Sequence, residues 1–182
     1  MCGICGIVTP HNAPPPDVAA LRRMNDVLAH RGPDGDGVYA DGPVALGHRR
    51  LSIIDLDAGA QPMFNEDKSV AIVFNGEIYN YLELIPELKR KGHCFATSCD
   101  TEVILHLYEE MGPACVEKLN GMFAFALWDN KKRRLMLARD RLGEKPLFYR
   151  FANRRLVFAS ELKALFEDGD VARRLSLPAL DD

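Results

Sequence analysis

The sequence predicts an α+β fold built on antiparallel sheets. Four short apolar runs follow one another between residues 122 and 160, and no stretch long enough for a crossover helix separates them. Because parallel strands need such crossovers, these closely connected runs favour antiparallel pairing. Three segments with helical spacing of apolar residues lie earlier, at 18–28, 81–91 and 101–111. With 182 residues, 47% of them hydrophobic, the chain can bury a sizeable core and suits one domain or at most two small ones.

The first third of the chain predicts a strand, a helix, a hairpin and a further strand. The run Gly3 to Thr9 has the apolar character of a short strand. The segment Pro14-Pro15-Pro16-Asp17 precedes a helix over Val18 to Leu28, because Pro and Asp are favoured where helices begin. The strands predicted next are Val38 to Ala40, Val44 to Gly47 and Leu51 to Asp55, the first two joined at Asp41-Gly42-Pro43.

A buried strand and a helix are predicted in the middle of the chain. Val70 to Phe74 is a β-branched apolar run that stops at Asn75-Gly76. A helix over Tyr81 to Lys91 follows, in which Pro86 costs a hydrogen bond unless it lies in the first turn. The apolar face of this helix is predicted to consist of Leu82, Ile85 and Leu88.

The clearest helix runs from Thr101 to Met111, with Asp100 as its predicted N-cap and Gly112-Pro113 as its end. Its buried stripe consists of Val103, Ile104, Leu107 and Tyr108. A short helical segment is predicted at Ala114 to Leu119. The later strands are predicted at Met122 to Trp128, Leu135 to Arg139, Leu147 to Phe151 and Leu156 to Ser160, and a last helix at Glu161 to Phe166.

Composition and charge exclude several classes of function. The net charge is −3, and the 23 basic residues are scattered, which argues against binding to nucleic acid or to an anionic membrane. The longest apolar stretch, Met122 to Trp128, is too short to span a bilayer, and the start lacks the basic region of a secretory signal. The five cysteines form no disulfide framework. We therefore expect a cytoplasmic protein with reduced thiols.

Cys2 directly follows the initiator methionine. If a processing enzyme removes Met1, Cys2 carries a thiol and a free α-amine on one residue. An amine with a pKa of about 7.7 to 8.0 can take the proton of a thiol with a pKa of about 8.5 near neutral pH. An N-terminal residue that serves as its own base is a known form of nucleophilic catalysis. Cys2 is therefore a candidate catalytic nucleophile.

A thiol that attacks a carboxamide needs hydrogen-bond donors for the charge that develops on the carbonyl oxygen. Asn75 and Gly76, at the end of a predicted strand, can supply them as a side-chain amide and a close backbone N–H. The alternative interpretation of this pair is an ordinary Asn-Gly hairpin turn.

An amino-acid substrate also needs partners for its α-carboxylate and α-ammonium groups. Arg49 and Arg50 are adjacent, so on a strand at most one of them can face the site. Asp100 is the obvious carboxylate for the ammonium group, against its alternative role as a helix cap, and Glu77 is similarly ambiguous.

The pair Cys2 and Cys5 also has the spacing of a redox or metal-binding motif. It leads into a strand, however, and no second pair of cysteines or histidines completes a zinc site. Cys5 is interpreted as a small buried hydrophobe, and the five histidines as surface or packing residues. No metal site is predicted.

Nine ordered motifs resemble one known family. They are M-C-G-I-C-G-I-V at the start, H-R-G-P-D-G at 30–35, G-H-R-R-L-S-I-I-D-L at 47–56, G-A-Q-P-M at 59–63, N-G-E-I-Y-N-Y at 75–81, D-T-E-V-I-L at 100–105, N-G-M-F-A-F-A-L-W-D at 120–129, A-R-D-R-L-G-E-K-P-L-F-Y at 138–149 and A-S-E-L-K-A-L at 159–165. Together they resemble the glutaminase domain of glutamine-dependent asparagine synthetases, which are class II glutamine amidotransferases. The resemblance covers residues 1–182.

The resemblance implies a fold and a set of site residues. The implied N-terminal nucleophile hydrolase fold is a four-layer αββα sandwich, with two antiparallel sheets between helices. Cys2 corresponds to the nucleophile, Asn75 and Gly76 to the oxyanion donors, Arg50 to the residue that binds the glutamine carboxylate, and Asp100 to the residue that binds its ammonium group. The other residues implied to line the pocket are Leu51, Ser52, Ile53, Ile54 and Glu77. Cys99 departs from the serine that is common in relatives.

The resemblance further implies that Cys2 hydrolyses glutamine to glutamate and ammonia through a thioester. Ammonia would then pass to a C-terminal synthetase domain in the same chain, so this domain is expected to need no cofactor. ATP and magnesium are expected only in that other domain, whose S-G-G-x-D-S loop does not occur in these 182 residues. A homodimer is compatible with the resemblance. Two alternatives stay open, namely a glutaminase domain that serves another acceptor and a catalytically silent regulatory module of the same fold.

Overall fold

A computed structural model describes residues 1–52 and 59–173. Nine strands are described: β1 (Gly3–Val8), β2 (Gly35–Asp41), β3 (Val44–Arg50), β4 (Met63–Phe64), β5 (Val70–Ile78), β6 (Gly121–Asp129), β7 (Arg134–Arg139), β8 (Phe148–Ala152) and β9 (Arg155–Ala159). The helices are α1 (Val18–Asp26), α2 (Tyr81–Arg90), α3 (Asp100–Met111) and α4 (Leu162–Leu165), with 3₁₀ segments at Ala29–Arg31 and Gly112–Lys118. No helix in these ranges is long and apolar enough to cross a membrane.

The strands form two antiparallel sheets, as the sequence predicted. One sheet has the order β2-β3-β1-β9-β8, and the other has the order β4-β5-β6-β7. Strand β1 lies in the middle of the first sheet, with Cys5 paired to Gly47 of β3 on one side and to Ala159 of β9 on the other. The strand that directly follows the candidate nucleophile Cys2 is thus paired on both edges.

Three apolar clusters establish the four-layer order. Residues such as Ile4 and Val73 form the cluster between the two sheets. Leu21 of α1 belongs to a second cluster on the outer face of the first sheet, and Ile104 of α3 to a third on the outer face of the second sheet. Because strand residues alternate between faces, each sheet is apolar on both sides. The predicted αββα sandwich is confirmed.

Helix α1 begins where the sequence placed it. The Asp17 carboxylate accepts a hydrogen bond of 2.8 Å from the backbone N–H of Ala19, which is the bond of an N-cap residue. Helix α3 ends at Gly112 with φ of +60°, a conformation that glycine adopts more readily than other residues.

In α2 the buried face differs in one residue from the prediction, and Pro86 has the predicted cost. Leu82 is 65% exposed, and the face packed on the core consists of Leu84 and Leu88 with Tyr81 and Ile85 beside them. Pro86 lies in the second turn, so the hydrogen bond that its missing N–H would donate is lost. Of the predicted face, Ile85 and Leu88 pack on the core and only Leu82 is wrong, because helical spacing alone does not show where the buried face ends.

The chain around residue 50 and the short strand β4 also depart from expectation. Leu51 and Ser52 are not in a strand, and the rest of the strand predicted over 51–55 lies outside the described residues. Strand β4 has only two residues, Met63 and Phe64, paired with Ile72 and Ala71 of β5. A pair this short leaves no alternating pattern from which a strand could be predicted.

Candidate functional site

A cavity lies at one end of the two sheets, where β1 begins and β3 ends. It encloses about 590 Å³, including its solvent-open mouth. Seven of the residues predicted for a site line it, namely Cys2, Arg50, Leu51, Asn75, Gly76, Glu77 and Asp100. Residues separated by up to 98 positions in the sequence are therefore brought to one place.

The alternation of the strands explains why two of these side chains meet. Ile4 of β1 and Val73 of β5 both point into the core between the sheets. Cys2 lies two positions before Ile4, and Asn75 lies two positions after Val73 in β5. Because side chains two positions apart on a strand share a face, Cys2 and Asn75 both point toward the space between the sheets. The thiol and the amide thus approach the end of the inter-sheet space from opposite sheets.

The Cys2 thiol is half-buried and contacts the backbone of Leu51. Its sulfur lies 3.4 Å from the Leu51 nitrogen, whose N–H points at it, and 3.6 Å from the Leu51 carbonyl oxygen. The Arg31 guanidinium donates to the Cys2 carbonyl oxygen at 2.9 Å and pairs with Glu161 at 2.9 Å. These contacts fix the backbone that carries the thiol.

The Cys2 nitrogen is a peptide nitrogen here, because Met1 precedes it. The Met1 side chain also lines the cavity, and its sulfur lies 3.3 Å from Nζ of Lys145. Removal of Met1 would free the Cys2 amine and enlarge the cavity beside the thiol.

Asn75 lies inside β5 and not in a hairpin turn. Strand β5 continues to Ile78, with Asn75 paired to Ala124 and Gly76 paired to Phe123 of β6. The Asn75 side chain is 1% exposed, and within the described ranges its Nδ2 has no hydrogen-bond partner. A buried donor without a partner costs about 1 to 3 kcal/mol, so it indicates a position where a ligand supplies the acceptor.

Gly76 is required by the close approach of β6. A Cβ atom on Gly76 would lie 2.3 Å from the carbonyl oxygen of Met122, far inside van der Waals contact. The glycine therefore allows the two backbones to meet at the edge of the cavity.

The two adjacent arginines point to opposite sides of β3, as strand geometry requires. Arg49 donates from Nε to the Asn25 carbonyl oxygen at 2.9 Å and pairs with Asp26, so it faces the α1 layer. Arg50 lines the cavity. Strand geometry alone left the choice between them open, the family resemblance indicated Arg50, and Arg50 lines the same cavity as Cys2.

The sequence pattern suggested that Asp100 is the N-cap of α3, but it is not. Cys99 occupies the N-cap position without a side-chain cap bond, and Asp100 is the first residue of the helix. Oδ2 of Asp100 accepts a hydrogen bond of 2.8 Å from the N–H of Ile78. Burial raises the pKa of Asp100 above its ordinary value. No lysine or arginine within residues 1–52 and 59–173 forms an ion pair with it, so the carboxylate can accept a cationic ligand.

The remaining predicted residues have varied positions. Glu77 and Leu51 line the cavity, whereas Ser52 does not and donates its backbone N–H to Asp34 at 2.8 Å. Ile53 and Ile54 lie outside the described residues.

Three polar residues of the cavity were missed by the sequence analysis, namely Gln61, Thr101 and Lys145. Gln61 accepts the N–H of Phe74 at 2.7 Å through Oε1. Lys145 is only 6% exposed, and its backbone N–H donates a hydrogen bond of 2.9 Å to Oδ2 of Asp140. A lysine is ordinarily assigned to the surface, so the only sequence signal was its place in the motif R-L-G-E-K-P.

Two further cysteines, Cys5 and Cys99, are buried. Cys5 is fully buried, and burial raises the pKa of its thiol. It faces α1 and so points away from Cys2, which excludes a redox pair in this geometry. Cys99 lies 3.5 Å from Oδ1 of Asp100 and 3.4 Å from Oγ1 of Thr101, and burial raises its pKa too.

Comparison with known families gives a match over the entire chain. The family described as "Glutamine amidotransferase domain" matches residues 1–182. Glutamine-hydrolyzing asparagine synthetase 3 of Bacillus subtilis (strain 168) is 42% identical over 184 residues, which cover 100% of this chain and 30% of the relative. Glutamine-hydrolyzing asparagine synthetase 1 of the same organism is 47% identical, covering 91% of this chain and 26% of the relative. Asparagine synthetase B of Escherichia coli (strain K12), also glutamine-hydrolyzing, is 42% identical, covering 91% of this chain and 30% of the relative.

The chain thus spans less than a third of the length of these relatives. Among solved structures, glutamine phosphoribosylpyrophosphate amidotransferase from B. subtilis, complexed with ADP and GMP, superposes with a TM-score of 0.74. The sequence identity between this chain and that protein is 24%, and the match covers 92% of this chain and 44% of that structure. This likeness concerns the fold alone.

Proposed function

Because the chain belongs to the family of glutamine amidotransferase domains, we propose that Cys2, freed by removal of Met1, hydrolyses glutamine to glutamate and ammonia. The observation that carries this assignment is the buried Asn75 amide, whose Nδ2 has no partner in the described ranges and lies on the same cavity as the Cys2 thiol. The ammonia would serve a synthetase-type domain of the whole protein that makes asparagine, as the names of the relatives suggest.

Substrate binding would use two of the charged side chains of the cavity, Arg50 and Asp100. The Arg50 guanidinium can form paired hydrogen bonds with the α-carboxylate of glutamine. The buried Asp100 carboxylate can accept the α-ammonium group, which would offset the cost of its burial. With both ends of the amino acid held, the side-chain amide would reach toward Cys2 and Asn75.

The first chemical step is attack of the Cys2 sulfur on the amide carbon. The freed α-amine takes the thiol proton, and the new S–C bond pushes the carbonyl electrons onto oxygen. Asn75 Nδ2–H and the Gly76 N–H stabilise this oxyanion, at about 3 to 4 kcal/mol for a well-placed donor. The C–N bond then breaks, and the amine returns its proton so that ammonia leaves.

The second step releases glutamate. Water attacks the thioester while the same α-amine accepts its proton, and the oxyanion donors act again. The C–S bond breaks, the sulfur recovers the proton, and free Cys2 is restored. Neither of these two steps uses a metal ion or a cofactor.

The test is covalent labelling with diazo-oxo-norleucine, a glutamine-like electrophile, followed by peptide mass spectrometry. In protein whose Met1 has been removed, we expect one adduct on Cys2, and glutamine should protect against it. Cys94 is an internal control, because it is more exposed than Cys2 but lies outside the cavity. An unlabelled Cys2 in processed protein, or equal labelling of Cys94, would refute the assignment.

A further inference from the structure

A second group of polar side chains lies outside the glutamine cavity, on a different face of α3. It contains Glu66 from the turn between β4 and β5, His93 from the segment between α2 and α3, and His106 from α3 itself. Each offers one ligand atom, and these atoms all lie within 4.8 Å of one another. Three segments distant in sequence thus direct nitrogen and oxygen atoms to one point.

Glu109, one turn after His106, completes the group. Its Oε2 lies 3.1 Å from Nδ1 of His106 and 3.5 Å from Nδ1 of His93. Oε1 of Glu66 lies 3.9 Å from the same Nδ1 of His106. In a tetrahedral zinc site with bonds of about 2.0 to 2.1 Å, neighbouring ligand atoms are about 3.3 Å apart. The spacings of 3.1 and 3.5 Å are close to this value, and the spacing of 3.9 Å from Glu66 is longer.

The other nitrogen of each imidazole faces a further carboxylate. Nε2 of His93 lies 3.1 Å from Oε1 of Glu110, and Nε2 of His106 lies 3.6 Å from Oε1 of Glu102. Metal-binding histidines commonly direct their second N–H at a carboxylate, which fixes the ring and raises its basicity. His93 has this arrangement through its hydrogen bond with Glu110, whereas Nε2 of His106 only faces Glu102 at 3.6 Å without a hydrogen bond. In both residues Nδ1 faces the centre of the group.

The supporting carboxylates are themselves held in place. Glu102 accepts hydrogen bonds from the backbone N–H groups of Ala96 and Thr97 at 2.7 and 2.8 Å. Oε1 of Glu109 accepts a hydrogen bond of 2.7 Å from the Asn65 side chain, which leaves Oε2 directed at the histidines. The geometry is therefore built by the fold and does not depend on free side-chain rotamers.

Burial separates this group from an ordinary surface cluster. The His106 side chain is 1% exposed, and its Nε2 makes no hydrogen bond within the described ranges. Glu66, by contrast, is 49% exposed, so an ion can enter from solvent on that side. The site is thus shielded from solvent at His106 and open to solvent at Glu66.

We propose that Glu66, His93, His106 and Glu109 form a binding site for one divalent transition-metal ion of the zinc class. Two imidazole nitrogens and two carboxylate oxygens match the ligand preference of zinc and of its cobalt substitute, and the two carboxylates balance the charge of the ion. The ion would join α3 to the segments that carry Glu66 and His93. Because α3 begins at Asp100, the role would be structural support of the cavity and not a step in glutamine hydrolysis.

The competing explanation is a cluster of protonated histidines and carboxylates without a metal. A protonated imidazole carries a proton on the Nδ1 that would bind the ion. A metal must displace that proton. Metal affinity should therefore fall as pH decreases, whereas a purely protonated cluster would take up no ion at any pH.

The test uses tag-free protein with the Cys2→Ala substitution, so that neither a polyhistidine tag nor the reactive thiol binds metal. After chelation and dialysis, cobalt(II) is titrated while the visible absorption of tetrahedral cobalt is recorded, and zinc stoichiometry is measured by native mass spectrometry. We expect one equivalent of each ion, with zinc displacing cobalt. Since the reaction itself is not assayed, the result is independent of the proposed glutaminase function.

Matched variants identify the ligands. Glu66→Gln and His93→Gln should each weaken binding by about tenfold or more, because even supporting residues of metal sites commonly contribute that much. Glu83→Gln and His11→Gln are controls, as both residues are exposed and lie outside the group. Cys94→Ala should leave affinity unchanged. Absence of stoichiometric uptake, or unchanged affinity in both Glu66→Gln and His93→Gln with circular dichroism showing intact folds, would overturn the proposal.

Discussion

His48 of β3 lies against the carbonyl oxygen of Phe74 in β5, with its Nε2 at 3.1 Å. This hydrogen bond crosses the space between the two sheets immediately before Asn75 and two residues before Arg50. The ring is fully buried, and its Nδ1 has no partner in the described part of the chain. It therefore joins the sheets at the base of the cavity as a neutral imidazole.

Stability should decrease as the pH falls from 7 to 5, through His48. Burial is the main cause that lowers the pKa of His48 to about 4. The unfolded chain binds a proton on this residue below about pH 6.5, whereas the folded chain does not, so between these values protons favour unfolding. At pH 5 the cost is about 2 kcal/mol relative to pH 8. Urea unfolding at several pH values measures it.

The comparison that isolates His48 is a His48→Gln variant, which keeps a side-chain N–H donor but cannot titrate. Its free energy of unfolding should vary less between pH 5 and 8 than that of the parent. Contributions of opposite sign, such as the raised pKa of His106, are common to both proteins and cancel. The exposed His11→Gln variant should behave like the parent, and identical pH profiles for His48→Gln and the parent would contradict the prediction.

Asn75→Ala should lower kcat for glutamine hydrolysis by about 100- to 1000-fold with little change in KM. The reason is that an oxyanion donor acts mainly on the transition state. Steady-state glutaminase kinetics on processed protein measure both constants. Asn12→Ala, on the exposed surface, is the matched control. An effect confined to KM would place Asn75 in substrate binding.

Gly76→Ala should destabilise the fold by about 1 to 3 kcal/mol, since the added methyl group would lie 2.3 Å from the Met122 carbonyl oxygen. Gly169 offers a matched control, because a Cβ atom there meets nothing within 4 Å. Gly169→Ala should change the free energy of unfolding by less than about 0.5 kcal/mol. Equal effects of the two substitutions would show that the contact with Met122 does not matter.

Arg50→Lys should raise the KM for glutamine by about 10- to 100-fold, because an ammonium group cannot replace the paired hydrogen bonds of a guanidinium. Arg49→Lys is the control on the other face of β3, where Arg49 contacts Asn25 and Asp26. It should leave KM unchanged. A KM that rises equally in both variants would argue against the assignment of Arg50.

The acid limb of kcat/KM should depend on Asp100. Because burial raises the pKa of Asp100, its carboxylate becomes protonated at a higher pH than an exposed aspartate and then cannot hold the ammonium group of glutamine. Asp100→Asn should raise KM by about 10- to 100-fold and flatten this limb. Asp67→Asn, at an exposed position, should leave the pH profile unchanged. An acid limb that persists in Asp100→Asn must come from another group.

The fold class was predictable because its signals are local. Short runs without crossover helices predicted antiparallel strands, and the apolar stripe of α3 predicted a packed helix. Strand β5 was truncated in the prediction, because Asn75-Gly76 carries the signal of a turn. Only the pairing with β6, which is a long-range contact, keeps those two residues extended.

The site could be predicted only in part for the same reason. Asp100 has the residue type and position of a helix cap, and its actual partner is the N–H of Ile78, 22 residues earlier. Gln61 and Lys145 reach the cavity through loops whose paths no periodicity encodes. The group of Glu66, His93 and His106 was missed because its members have no regular sequence spacing.

Strand β3 places its side chains in strict alternation, with His48 and Arg50 toward one sheet and Arg49 toward α1. Loss or gain of a single residue within 44–50 would invert this phase. It would carry Arg49 into the cavity that contains Cys2, turn Arg50 toward Asp26, and break the hydrogen bond between the imidazole and Phe74. During divergence of this lineage, length changes in β3 should therefore be rarer than in any surface connection, even where individual substitutions are accepted.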